Sequence, residues 1–203
     1  MTKGNLFVIS GPSGSGKDTV LTKILKIMGA EAFLSVSMTT RKKREGEVEG
    51  IDYYFVTKEE FEANIVNDRM LEYAKYGDNY YGTPIGPLEK LLNEGKTVFL
   101  NIEVQGGANV RRRLPFVKEI FLMPPSLEEV ERRLRKRGTE TEEAIQSRLS
   151  IAKDEILKAS DYDYIVVNDA LDEAISDIMS IIKAESLKTD KMINKISEVI
   201  NNA

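Results

Sequence analysis

Apolar positions along the chain fall into two rhythms. Short unbroken runs, "NLFVIS" (5–10), "TVFLNIEV" (97–104), "VKEIFLMPP" (117–125) and "YDYIVVND" (162–169), have the length and β-branched content of buried strands. Between them lie stretches with helical spacing. "DTVLTKILKIMG" (18–29) places Val20, Leu21, Ile24, Leu25 and Met28 on one face and stops at Gly29. "IGPLEKLLNEG" ends at Gly95 and "LEEVERRLRKRG" (127–138) at Gly138. Thr139 with Glu142 reads as a capping box opening a helix to about Lys158. A helical tail fills 171–203, with an interruption expected near Lys188 to Asp190. Its apolar Met192, Ile193, Ile196, Val199 and Ile200 have helical spacing, and packing on the core is the default expectation. Alternating strands and helices predict a parallel α/β sheet.

The rhythm breaks between residues 33 and 85. "FLSVSMTTR" (33–41) and "IDYYFV" (51–56) read as strands joined by the charged "KKREGEVEG", followed by a short helix in "KEEFEANIVND". "MLEYAKYGDNYYGTP" (70–84) reads as two strand pieces about a Gly77-Asp78-Asn79 turn. The block is rich in tyrosine, and we take it as an inserted, mostly antiparallel subdomain.

Composition narrows the chemistry. The 203 residues suit one domain with an insertion, and a net charge of -4 argues against a dedicated nucleic-acid binder. The chain has no Cys, hence no disulfide framework, and no His. Catalysis must then run on carboxylates, Lys, Arg, backbone amides and a hard metal ion. No apolar stretch is long enough for a signal peptide or a bilayer span, so a cytoplasmic protein is expected.

"GPSGSGKD" (11–18) follows a strand and opens a helix, the context in which G-x-x-x-x-G-K-[ST] binds phosphate. A dinucleotide-binding fold would want a third glycine where Asp18 or Thr19 stands. Backbone N–H groups from Ser13 to Thr19 would cradle a phosphate at the positive end of the helix, with Lys17 reaching its oxygens. Arg41 and Arg44, beside Ser37, Thr39 and Thr40, are suited to bidentate phosphate binding. By themselves they read as a solvated basic loop. Glu72 is a lone acid on an apolar strand. A carboxylate accepts only, so it matches the two donors on guanine's N1 and 2-amino edge and rejects adenine, whose N1 is an acceptor. Taken alone, it reads as a surface acid on an edge strand.

Together, "SGPSGSGK", "SVSMTTRKKREGEVEGIDYYF", "LEYAKYGDNYYGTP", "IEVQGG" and "RGTETEEAIQSRL" resemble the guanylate kinase family in order and spacing, from about Asn5 to Lys183. The resemblance implies an α/β fold: a P-loop parallel-sheet core with helices on both faces, a GMP-binding insertion and a helical lid. The core would take about 1–32, 86–125 and 160–203, the insertion 33–85 and the lid 126–159. It implies ATP and GMP as substrates, Mg²⁺ as cofactor, and dGMP as a second acceptor. Nothing points to nucleic acid or membrane as a partner, and a monomer or homodimer is expected.

The resemblance assigns ATP to Gly11, Pro12, Ser13, Gly14, Ser15, Gly16, Lys17, Asp18, Thr19, Arg133 and Asn168. It assigns the GMP phosphate to Arg41, Arg44, Tyr53 and Tyr81, and guanine with its surroundings to Ser37, Glu72, Thr83 and Glu103. Lys17, Arg41, Arg137 and Arg148 are the expected catalytic residues, with Arg133 and Arg137 as lid arginines arriving on closure. Two rival readings are an inactive protein-binding module of the same fold and a P-loop kinase for another phosphorylated acceptor.

The chain departs from the P-loop pattern at one place. Position 18, where a Ser/Thr hydroxyl usually meets Mg²⁺, holds Asp18, and Asn101 stands at the strand end where the resemblance implies an acid. Two readings are open: Asp18 serves the metal through a water, or it points to solvent and water fills the metal's shell.

Overall fold

The structure, a computed structural model, describes residues 4–137 and 141–201, and for Arg137 the backbone alone. Five parallel strands form the main sheet: β1 (Leu6–Ser10), β2 (Ala32–Leu34), β7 (Thr97–Asn101), β8 (Lys118–Met123) and β9 (Tyr164–Val167), in the order β2-β7-β1-β8-β9. β1 lies at the centre and is wholly buried. Its alternate side chains feed two cores, as a strand covered on both faces requires. Phe7 and Ile9 pack with Val20, Leu21 and Ile24 of α1 (Lys17–Met28) and with Ile175 and Ile178 of α7 (Leu171–Ser186). Leu6 and Val8 pack with Leu88 and Leu92 of α3 (Ile85–Asn93) and Val110 of α4 (Val104–Arg113). Helices therefore cover both faces, as expected.

A second sheet, β4-β3-β6-β5, comprises β3 (Met38–Thr39), β4 (Tyr54–Phe55), β5 (Met70–Tyr76) and β6 (Asn79–Pro84). It is antiparallel except for the short β3 to β4 pair. The single strand expected over 33–41 is in fact two, separated at 35–37. β2 pairs with β7 in the main sheet, whereas β3 pairs with β6 in the second. The chain changes sheets inside one β-prone run, which local propensity does not mark. Only Tyr54 and Phe55 of the expected strand 51–56 are extended in a ladder, and β7 stops at Asn101 because Glu103 already caps α4. α2 (Lys58–Val66) begins at a full capping box between Thr57 and Glu60.

α5 (Leu127–Arg137) and α6 (Glu142–Ile156) pack through Val130, Leu134, Ile145 and Ala152. Thr139, the expected cap of α6, lies outside the described residues. Thr141 caps the helix, accepting from the Ala144 N–H at 3.3 Å. α7 and α8 (Thr189–Asn201) are separate helices, broken at the expected place. The expected packing of α8 on the core is corrected: none of its residues is buried, and Ile193, Ile196, Val199 and Ile200 are all more than half exposed. Helical spacing fixes a face but not what covers it. No helix among the described residues is long and apolar enough to cross a membrane.

Candidate active site

The phosphate loop runs from the C-terminal end of β1 into α1. Two glycines there are dictated by geometry. A Cβ on Gly11 would lie 2.3 Å from the Leu122 carbonyl, and Gly16 has φ 93° with a Cβ position 2.5 Å from Asn168 Nδ2. The loop's carbonyls are tied from behind. Asn168, itself buried, donates to the Ser15 carbonyl at 2.7 Å. Arg133 donates to Gly14 O at 3.2 Å, Ser15 O at 3.3 Å and Asn168 O at 2.9 Å, while Glu129 holds its Nε. A trans peptide points its N–H opposite its C=O, so fixing the Ser15 carbonyl turns the Gly16 N–H to the other side of the loop. Arg133, expected at ATP, has its guanidinium on these loop carbonyls here and braces the cradle from α5.

Lys17 Nζ donates to Gly11 O at 2.5 Å and to Pro12 O at 3.4 Å, folded over its own loop. Arg148 on α6 donates to the Ser13 hydroxyl at 2.9 Å, bringing a second cation to the same rim. Thr19 is exposed in the first turn of α1. The side chain of Arg137 lies outside the described residues.

Asp18 is exposed in that same first turn, where a carboxylate suits the helix dipole. Asn101 Nδ2 donates to its Oδ1 at 2.7 Å. The two departures from the P-loop pattern are therefore in direct contact. These residues fit a hard divalent cation. Mg²⁺ on a nucleotide takes most of its ligands from phosphate and water, so one oriented carboxylate oxygen suffices.

The second sheet carries the other cluster. Arg41 and Glu47 form a bidentate pair, at 2.6 Å and 3.0 Å, and Glu47 also accepts from the Arg44 N–H at 2.7 Å. That pairing, with the Arg41 fork first among its causes, holds the Glu47 carboxyl down at about 2. The Arg41 guanidinium lies 5.4 Å from the Tyr53 ring centroid, and Tyr53 meets Tyr81 edge-on at 6.1 Å. Arg41, Tyr53 and Tyr81 are thus brought together, with Arg44 one turn of loop away. Ser37 is half-buried at the start of β3, its carbonyl accepting from Tyr54 N.

Glu72 on β5 accepts from the Thr83 hydroxyl of β6 at 2.7 Å. The pair is set by antiparallel register, in which Glu72 lies opposite Thr83. Burial pushes the Glu72 carboxyl up, and the Thr83 bond only partly offsets this. Gly106, in the first turn of α4, lies against this carboxylate: a Cβ there would come 3.7 Å from Glu72 Oε2, an ordinary contact. Glu103, exposed at the N-cap of α4, precedes that turn.

Two carboxylates near these clusters have no place in the expected site. Glu47 stands three residues after Arg44 and six after Arg41, a spacing that was legible but lost in a charge run. Glu155 on α6 has its carboxyl raised, by burial first and then by the charge of Glu103, with Lys17 opposing. No local signal marks it.

The guanylate kinase family model matches residues 3–185. The chain is 50% identical over 200 residues to a guanylate kinase of Lactococcus lactis, covering 98% of this chain and 97% of that one. It is 48% identical over 198 residues to one of Latilactobacillus sakei, covering 98% of each. The crystal structure of guanylate kinase from Anaplasma phagocytophilum is similar with a TM-score of 0.73 at 36% identity, covering 94% of this chain and 90% of that one. With the phosphate loop, the arginine–tyrosine cluster and the sheet order already in place, the chain belongs to the guanylate kinase family.

Proposed function

We propose the following division of labour for the reaction of this family, the ATP-dependent phosphorylation of GMP to GDP, which this enzyme carries out. The loop at Gly11 to Thr19 holds the donor's phosphates. Lys17 exchanges the carbonyls of Gly11 and Pro12 for phosphate oxygens, and Arg148 and Arg137 add positive charge as the phosphoryl group moves. Arg133 and Asn168 keep the loop's donors aimed. Arg41, Arg44, Tyr53 and Tyr81 hold the acceptor's phosphate, and Glu72 with Ser37, Thr83 and Glu103 surrounds its base. dGMP presents the same base and phosphate and is a second acceptor.

The acceptor's phosphate oxygen is already a nucleophile, so no general base is required, which agrees with a chain lacking His. When bound, Mg²⁺ supplies neutralisation of charge on the β- and γ-phosphates; Asp18, oriented by Asn101, is the protein group that would hold it. The residues α5 and α6 bring to the loop act as the lid over 126–159, with 33–85 as the acceptor-binding part. We place the enzyme in the cytoplasm, where ATP and GMP are supplied.

The observation that carries this reading is the Glu72 to Thr83 pair beside an arginine–tyrosine phosphate cluster. The test is coupled ADP production with ATP, Mg²⁺ and, in parallel, GMP, AMP, CMP or UMP. Turnover confined to GMP is expected; equal use of AMP would refute the assignment of Glu72.

A further inference from the structure

We propose that Asp18 and Asn101 form a rebuilt divalent-cation site, the carboxylate coming from the first turn of α1 and the amide from the end of β7. The inference rests on the kinase reading above and deepens it. P-loop enzymes hold the nucleotide's metal with a hydroxyl after the loop lysine and an acid on a neighbouring strand. Here the hydroxyl's place holds a carboxylate and the acid's place an amide. One carboxylate and one neutral side chain remain in either arrangement.

The contact between them explains why the two departures come together. Asn101 pairs in register with Ile9, which puts it at the mouth of the sheet beside the phosphate loop. Its Nδ2 lies 2.7 Å from Asp18 Oδ1. A second carboxylate at position 101 would face Asp18 with no donor between them, and like charges that close resist joint ionisation. Asp18 therefore requires a donor at 101. In return the amide fixes the carboxylate's orientation through one oxygen, and Oδ2 has no protein partner among the described residues. Asn101 is a positioning residue; Asp18 is the group offered to the cation. The plainer reading is that the pair merely braces α1 against β7. A brace would be indifferent to cations, and the two roles separate in Asp18→Asn, which keeps the shape and an acceptor for Asn101 but removes the charge.

The experiment titrates Mn²⁺ into protein saturated with ADP, reading free Mn²⁺ by its paramagnetic resonance signal. ADP affinity in EDTA is measured alongside by calorimetry. Asp18→Asn is expected to weaken Mn²⁺ binding about tenfold or more, the range for altered metal surroundings. ADP affinity in EDTA should stay the same or tighten, because an anion beside the phosphates is gone. Asp18→Ser combined with Asn101→Asp returns the carboxylate to the strand and should recover most of the Mn²⁺ affinity lost in Asp18→Ser alone. Mn²⁺ affinity within twofold of the parent in Asp18→Asn would overturn the proposal. So would an equal loss of ADP binding with and without metal, or a double variant no better than Asp18→Ser. Wild-type ADP production with GMP, run on the same preparation, tests the kinase reading separately. Silence there with the predicted Mn²⁺ pattern would refute that reading and leave the cation site standing.

Discussion

Glu47 and Glu72 sit in the same small sheet region, and their carboxyls shift in opposite directions. Glu47 is held at about 2 by the Arg41 fork. Its contribution to stability is present above its ordinary value of 4.5 and is lost as pH falls from there through about 2. The Arg41 pair therefore persists at any pH where the enzyme is folded near neutrality. Glu72 is raised by burial, so its contribution is present below 4.5 and is lost as pH rises through the folded value. Ionising Glu72 is therefore a cost to the free protein. We predict that Glu72→Gln melts at the same or a higher temperature than the parent at pH 7, while binding GMP more weakly; a calorimetric scan and a GMP titration check both halves. Arg41→Lys loses the bidentate fork, and the KM for GMP should rise about 10-fold or more with the KM for ATP little changed. At this scale the sequence was informative where chemistry is scarce. A lone acid in an apolar strand stands out, as Glu72 does, whereas Glu47 is one acid in the run "KKREGEVEG" and its partner is fixed only by the loop's fold.

Elements were legible where one periodicity ran without interruption. α1, α3, α5 and α7 each lie within about two residues of their expected bounds, because each apolar face is buried, that of α1, α3 and α7 against the main sheet and that of α5 against α6. The run 33–41 misled because the chain hands β2 to one sheet and β3 to the other, a decision made by tertiary pairing. The cap of α6 at Thr141 instead of Thr139 shows the same limit, since both residues carry a hydroxyl. α2 is different: Thr57 and Glu60 exchange both capping bonds. Thr57→Ala should cost about 1 kcal/mol, read from urea unfolding midpoints at constant slope. α8 buries no residue and touches the body through Lys191, which donates to Gly4 O at 2.9 Å. A chain ending after Lys188 keeps the Glu185 to Lys188 pair and should lose no more than about 1 kcal/mol of stability and no GMP kinase activity. A larger loss would mean that α8 is covered in solution.

At the scale of the whole molecule, the two clusters of candidate residues lie on different sheets. The parallel sheet presents the phosphate loop at the C-terminal end of its central strand, where open α/β sheets bind ligands. The second sheet carries the arginine–tyrosine cluster and the Glu72 to Thr83 pair. α5 and α6 reach the loop through Arg133 and Arg148. This division was legible in outline because the βαβ rhythm stops at one place and resumes at another. The bracing of the loop by Arg133 and the contact of Asp18 with Asn101 join residues 119 and 83 positions apart in sequence, and no local pattern announces such meetings. The central claim is that a half-buried carboxylate reads guanine while the arginine cluster holds the phosphate. Its most direct test is the ratio of kcat/KM for GMP over AMP, in the parent and in Glu72→Gln. The account predicts a ratio that falls about 10- to 100-fold, the worth of a hydrogen bond to a charged group, chiefly through loss of GMP turnover. An unchanged ratio would mean that some other group reads the base.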